Sequence, residues 1–204
     1  MDKRIAIIGS GISGLTCGYY LTKMGAEITM FESEDYIGGH THTVATDFEG
    51  EQAAIDTGFI VFNDRTYPNF IKLMEEIGVD YQPTEMSFSV RNDNLGLEYN
   101  GSSVNGLFAQ RTNLLRPQFY RMLLDITRFN KQVRTITHAD GETTIGEYLQ
   151  RSNYSPLFKD NYLLPMIAAI WSMGTEDCLD FPLHFFVRFF ENHGLLDLAN
   201  RPQW

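Results

Sequence analysis

An α/β fold class is predicted by three observations. The first forty residues run strand, glycine turn, helix, strand; a glutamate closes the second strand; and from Ser103 onward the apolar pattern is helical. The predicted architecture is a Rossmann-like dinucleotide-binding start over residues 1–64, then a mainly helical second region over residues 65–204 that carries a hairpin.

The opening strand is the apolar run Ile5 to Ile8, which breaks at Gly9 and fits a strand buried on both faces. Gly9-Ser10-Gly11-Ile12-Ser13-Gly14 follows as a G-x-G-x-x-G. Gly9 permits a tight strand-to-helix turn, Gly11 has no side chain to hold a pyrophosphate off the backbone, and Gly14 allows close helix–strand packing. Leu15, Tyr19 or Tyr20, and Met24 recur at helical spacing until Gly25, and Cys17 reads as a small core residue. The free N–H groups and dipole of such a helix face two phosphates, so Gly9, Ser10, Gly11, Ile12, Ser13 and Gly14 are the candidate cofactor contacts. A second apolar run, Ile28 to Phe31, delivers Glu32 where it can accept hydrogen bonds from ribose hydroxyls, with Ser33 beside it. A carboxylate there repels a 2′-phosphate, which argues against NADP. The plainer alternative is a glycine-rich turn in some other α/β protein; the ordered strand, turn, helix, strand and glutamate argue against it.

Val44 to Phe62 reads as short extended pieces around a turn at Glu49-Gly50. Phe70, Leu73, Met74 and Ile77 form a helical stripe that Gly78 ends. Met86–Val90 and Leu95–Tyr99 alternate like two strands joined across Asn92-Asp93-Asn94. Pro117 suits a first helical position, after which Phe119, Met122, Leu123, Ile126, Phe129 and Val133 share one face. Arg121, Arg128 and Lys131 lie off that face; a solvated helix surface is the favoured reading, and peripheral contact with an anionic membrane is the alternative. Thr144-Ile-Gly-Glu147 predicts a capping box, Asp180 a cap for the last helix, and Gly194 its stop. Trp171, Phe181, Phe185, Phe186, Phe189 and Phe190 read as core packing first and as the lining of an apolar substrate pocket second.

Composition sets bounds. A net charge of −10 argues against nucleic-acid binding, and two cysteines, Cys17 and Cys178, argue against a disulfide framework and for a reducing, cytoplasmic setting. The longest apolar stretch, Leu163 to Trp171, contains Pro165 and falls far short of the ~20 residues that span a bilayer, so no transmembrane segment is expected. The five histidines are scattered, and His40 with His42 is no convincing metal pair or covalent flavin link, so no metal is expected. No nucleophile or acid–base pair stands out, and no catalytic residue is named.

The run Ser33-Glu34-Asp35-Tyr36-Ile37-Gly38-Gly39-His40 resembles the flavin-containing amine oxidoreductase superfamily, in which a Gly-Gly pair and a polar or basic residue follow the acidic one. The resemblance implies FAD as cofactor and makes Gly38, Gly39, His40 and Thr41 contacts of it. It also implies that the Asp56-Thr57-Gly58 loop, with Gly58, lies near the isoalloxazine; a plain turn with Asp bonding its own backbone is the equal alternative. Segments such as Asp56–Asn63, Met86–Val90, Phe108–Arg111, Tyr162–Met166 and Arg201–Trp204 are similar to a branch of predicted NAD/FAD-binding proteins within that superfamily. Members resemble chains of about twice this length, and nothing after Val44 offers a third long parallel strand. The dinucleotide fold is therefore expected to be incomplete, the chain an N-terminal piece or a shortened member, and its FAD affinity weak. The implied activity is a flavin-dependent oxidoreductase acting on a carbon–carbon or carbon–nitrogen bond of an apolar, lipid-like small molecule. The alternatives are a nucleotide-binding module without catalysis and an NAD-dependent oxidoreductase.

Overall fold

The computed structural model describes residues 3–58, 61–136, 143–197 and 202–204. Phe59 and Ile60 of the segment after Asp56, and Arg201 of the last one quoted above, lie outside them. The chain divides into two compact units, Met1–Val61 and Phe62–Trp204.

In the first unit, β1 (Arg4–Ile8) and β2 (Glu27–Phe31) pair in parallel, with Ile5 opposite Ile28 and Ile7 opposite Met30. Helix α1 (Ile12–Lys23) connects them, the crossover that parallel strands require. Its contact with the sheet is made by glycine. A Cβ on Gly14 would lie 2.0 Å from the Gly9 carbonyl oxygen, and one on Gly18 would meet Met30 and Ile7 at 3.3 and 3.4 Å. Gly18 is the buried residue of α1; Leu15, Tyr20 and Met24 are exposed, and so is Cys17, contrary to the core role expected of it. The small residues at i and i+4 take the inner face because the helix can approach the strands closely only there.

Nor is β1 buried on both faces. Ile5 and Ile7 are half-buried beneath α1, whereas Ile8 is 84% and Phe31 54% exposed on the other side. Among the described residues the parallel sheet has two strands, and one helix covers one of its faces. Next, β3 (His42–Phe48) and β4 (Glu51–Thr57) form an antiparallel hairpin. Its two-residue turn places Glu49 and Gly50 at φ 54° and 88°, the left-handed pair that tight hairpins use.

The second unit begins with α2 (Pro68–Ile77), closed by Gly78 at φ 70°. The following hairpin is shifted from its expected bounds: β5 is Ser89–Asn92, β6 is Leu97–Asn100, and a 3₁₀ turn over Asp93–Leu95 joins them. Asn92 Oδ1 accepts from the Leu95 N–H, so the asparagine caps a helical turn instead of sitting in a two-residue loop. Helices α3 (Val104–Leu107) and α4 (Pro117–Val133) follow, then α5 (Ile145–Arg151), the short α6 (Pro156–Phe158), a π-turn (Lys159–Leu163) and α7 (Leu164–Trp171). Last comes α8 (Leu183–Asn192).

One core holds these helices. Phe119, Met122, Phe129 and Val133 of α4 are buried with Ile145, Phe158, Ile167, Phe186 and Phe190. The capping box is formed in full: Thr144 Oγ1 accepts from the Glu147 N–H, and the Glu147 carboxylate accepts from the Thr144 N–H. Asp180, in contrast, lies in a 3₁₀ turn and does not cap α8, whose first residue follows Pro182. A bridge between Thr144 and Pro182 fixes that helix start instead: Leu183 N–H donates to Thr143 and Ile145 N–H to Phe181.

Two stability measurements check this account. Gly14→Ala is expected to destabilise the first unit by at least about 1–3 kcal/mol in denaturant unfolding, since a methyl has no room beside Gly9. Thr144→Ala should cost the second unit about 1 kcal/mol.

Candidate functional site

Between the end of β1 and the first turn of α1, among the described residues no side chain caps the backbone N–H groups. Gly9 adopts φ 92° and donates its N–H to the Phe31 carbonyl at 2.7 Å, turning the chain sharply off the sheet. Gly11 is the N-cap of α1 in extended conformation. No side chain caps the helix there, and its first turn carries no acid. A Cβ on Gly11 or Gly9 would meet no heavy atom within 4 Å, so open space lies over the loop. The N-terminal N–H groups of α1 and its positive dipole end thus face a cleared space, with Ile12 and Ser13 exposed at its edge.

The Gly38-Gly39 turn is seated directly on this loop. Gly38 N–H donates to the Ser10 carbonyl at 3.1 Å, Gly11 and Gly38 form a parallel bridge, and a Cβ on Gly39 would stand 3.1 Å from Gly11 Cα. Both glycines have positive φ, 123° and 63°, so side chains are unwelcome on conformational as well as steric grounds. Gly58 closes on the same segment: its Cβ would fall 1.8 Å from the His40 carbonyl oxygen. His40 and Thr41 are exposed, and the His42 ring packs on Tyr36 with centroids 4.2 Å apart. Asp56 accepts across the hairpin from Thr43 Oγ1 at 2.7 Å.

Glu32 and Ser10 form a clamp that the sequence does not announce. Ser10 is buried, and both its N–H (2.7 Å) and its hydroxyl (2.5 Å) donate to Glu32 Oε2. The N–H groups of Ser33 (2.8 Å) and Glu34 (3.1 Å) donate to Oε1, and the Ser33 hydroxyl lies at 3.4 Å. The Ser10 side chain therefore points to the acid. These donors, the Ser10 hydroxyl foremost, pull the Glu32 carboxyl down from 4.5 to about 2.

A family model for an NAD(P)-binding Rossmann-like domain matches residues 7–77. Protoporphyrinogen oxidase 2 of Arabidopsis thaliana is 24% identical over 155 residues, spanning 73% of this chain and 29% of that protein. The 15-cis-phytoene desaturase of Synechococcus elongatus is 32% identical over 77 residues, or 38% of this chain and 15% of that one. Among solved structures, putrescine oxidase bound to putrescine shares the fold at 18% identity with a TM-score of 0.54, covering all of this chain and 45% of that one. The chain carries an NAD(P)-binding domain with homologues in the flavin amine oxidase and desaturase family. It is thus related to flavin-dependent oxidoreductases, and spans less than half the length of these relatives.

Of the predicted site residues, the structure gathers Gly9, Gly11, Ile12, Ser13 and Gly14 with Gly38 and Gly39 around one loop, and joins Gly58 to His40. It turns Ser10 and Ser33 toward Glu32. Two features escape a motif reading. Gly18 continues the glycine face one turn beyond the G-x-G-x-x-G, a spacing visible in the sequence once Gly14 is assigned inward. Asn63, in the second unit, is buried and accepts from the Arg65 and Thr66 N–H groups and the Thr66 hydroxyl, building the turn before α2. Phe181 and Phe189 pack at a tilt against Trp171 with centroids 4.7 and 4.8 Å away, and Phe186 and Phe190 are core residues, so these rings pack chiefly on one another.

Because the folded-state carboxyl of Glu32 lies below its unfolded value, the clamp contributes fully above pH 4.5 and is lost as pH falls from there to about 2. NMR titration should find the Glu32 carboxyl near 2, and Ser10→Ala should move it upward. A wild-type value near 4.5 would refute the clamp.

Proposed function

We propose that the first unit binds the ADP half of FAD and that the protein works as a flavin-dependent oxidoreductase on a carbon–carbon or carbon–nitrogen bond of an apolar, lipid-like small molecule. The observation that carries the reading is the uncapped start of α1 beneath open space, with Gly38-Gly39 seated beside it. The N–H groups of Ile12, Ser13 and Gly14 hold the pyrophosphate, where Gly9 and Gly11 leave room for it. Glu32 receives the ribose diol. Its two hydroxyls are donors of the same kind as those of Ser10 and Ser33, which they replace, while the Ser10, Ser33 and Glu34 N–H groups keep the carboxylate ionised. Gly38, Gly39, His40, Thr41 and Gly58 border the continuation of the cofactor beyond its phosphates. FAD supplies hydride acceptance when bound; the protein supplies binding, orientation and exclusion of water.

Residues 65–204 serve in this reading as the substrate region. Their aromatic content supports an apolar partner. Homologues named as oxidases and desaturases support the reaction class. Two cysteines, both free, support a reducing, cytoplasmic setting. A second reading is a nucleotide-binding module without catalysis, which the same uncapped helix start and cleared loop would serve.

The test is FAD titration by fluorescence quenching, alongside ADP and NADH. Wild-type protein should bind FAD and, more weakly, ADP. Gly11→Val should lower FAD affinity at least about 100-fold by filling the phosphate space, and Glu32→Ala should weaken it about tenfold. Unchanged flavin binding in both variants overturns the assignment; ADP binding without flavin uptake favours the second reading, and tight NADH binding alone an NAD-dependent enzyme.

A further inference from the structure

Charge in this protein is segregated. The whole chain is acidic, at −10, with sixteen Lys and Arg against twenty-six Asp and Glu. Between Ser103 and Arg134 the balance inverts: Arg111, Arg116, Arg121, Arg128, Lys131 and Arg134 stand against the single acid Asp125. That acid is buried and already committed, accepting from the Ser155 N–H at 2.8 Å and pairing with Arg128 at 2.9 Å.

The outward face of α4 combines these cations with exposed hydrocarbon. Phe119, Met122, Phe129 and Val133 point into the core, which leaves Tyr120, Arg121, Leu124, Arg128 and Lys131 on the opposite side. Leu124, at the middle of that side, is 69% exposed, and Leu115, just before the helix, is 85% exposed. The Tyr120 hydroxyl donates to the Leu114 carbonyl at 3.0 Å and ties the two stretches together. Beside Leu115 an open depression of about 520 Å³ is lined by Leu95, Arg116 and Pro117. Arg116, Arg121 and Lys131 form no ion pair among the described residues.

We infer that this face docks on the surface of an anionic phospholipid bilayer, with Leu115 and Leu124 entering the headgroup boundary and Arg116, Arg121 and Lys131 pairing with lipid phosphates. Charge complementarity selects the occupant. A second copy of the chain, face to face, would bring like charges together. A nucleic acid would use the cations and leave both leucines in water. A bilayer uses both groups at once. No helix among the described residues is long and apolar enough to cross a membrane, so the contact lies on the surface. Its site lies wholly within the second unit and is independent of the flavin assignment.

Flotation of the 204-residue chain with phosphatidylcholine vesicles, with and without phosphatidylserine, tests the inference. The protein should float with the anionic vesicles only, and high salt should release it. Replacing the three free cations together (Arg116→Gln, Arg121→Gln, Lys131→Gln) should lower the partition coefficient roughly 100-fold. Leu124→Ser alone should lower it about tenfold, with thermal unfolding unchanged. If the triple variant does not fold, the salt and lipid dependence of the wild type together with Leu124→Ser decides the matter. Absence of binding to anionic vesicles, equal binding to neutral ones, or full retention by a folded variant overturns the inference. So does capture by an acidic protein in place of vesicles.

Discussion

The contact on which the first unit depends is that between Gly14 and the carbonyl of Gly9. With a Cβ at 14 placed 2.0 Å from that oxygen, only glycine lets α1 lie so close to the strand it follows. The approach has a chemical consequence as well as a packing one. It aims the uncapped N–H groups of the helix across the loop at a space that Gly9 and Gly11 keep clear. A helix held further out would carry the same dipole but present it elsewhere. Packing and the aim of those amides are here two results of one missing side chain.

Around that contact the site is assembled from backbone more than from side chains. The Gly38-Gly39 turn bridges to the loop through Ser10 and Gly11, and Gly58 presses on the carbonyl of His40. Ser10 gives up its hydroxyl to hold Glu32, so the acid is fixed to the very turn whose phosphate space it adjoins. Hydrogen-bond donors keep that carboxylate charged far into acid solution although it is exposed to water. Its position is thereby set by the same residues that set the loop.

The second unit follows a different logic, in which large side chains fill a helical core. Its outer surface is not uniform: cations gather on α4 and the turn before it, in a chain whose remaining surface is acidic. Phe119 and Phe129 draw one side of α4 inward, and that alone commits Arg121, Leu124 and Lys131 to the outside. The two units therefore differ in what they present, one helix-terminal amides and the other a charged and greasy surface.

Much of this was legible in the residues alone. Order and type of the first elements, the capping box at Thr144, the start of α4 at Pro117 and the hairpin turn at Glu49-Gly50 all rest on local rules: steric freedom of glycine, the fixed φ of proline, side-chain oxygens that satisfy nearby amides. Such rules act within a few residues, and a sequence displays them. What only the tertiary structure decided is which neighbour a group meets at long range. Cys17 lies outward because Gly14 and Gly18 take the inner face. Ile8 and Phe31 are exposed because one helix covers one side of a two-stranded sheet. Asp180 loses the cap of α8 to a bridge between Thr144 and Pro182. Ser10 meets Glu32 because the two strand ends lie side by side. Each outcome depends on a distance between residues far apart in the chain, and no local pattern encodes that distance.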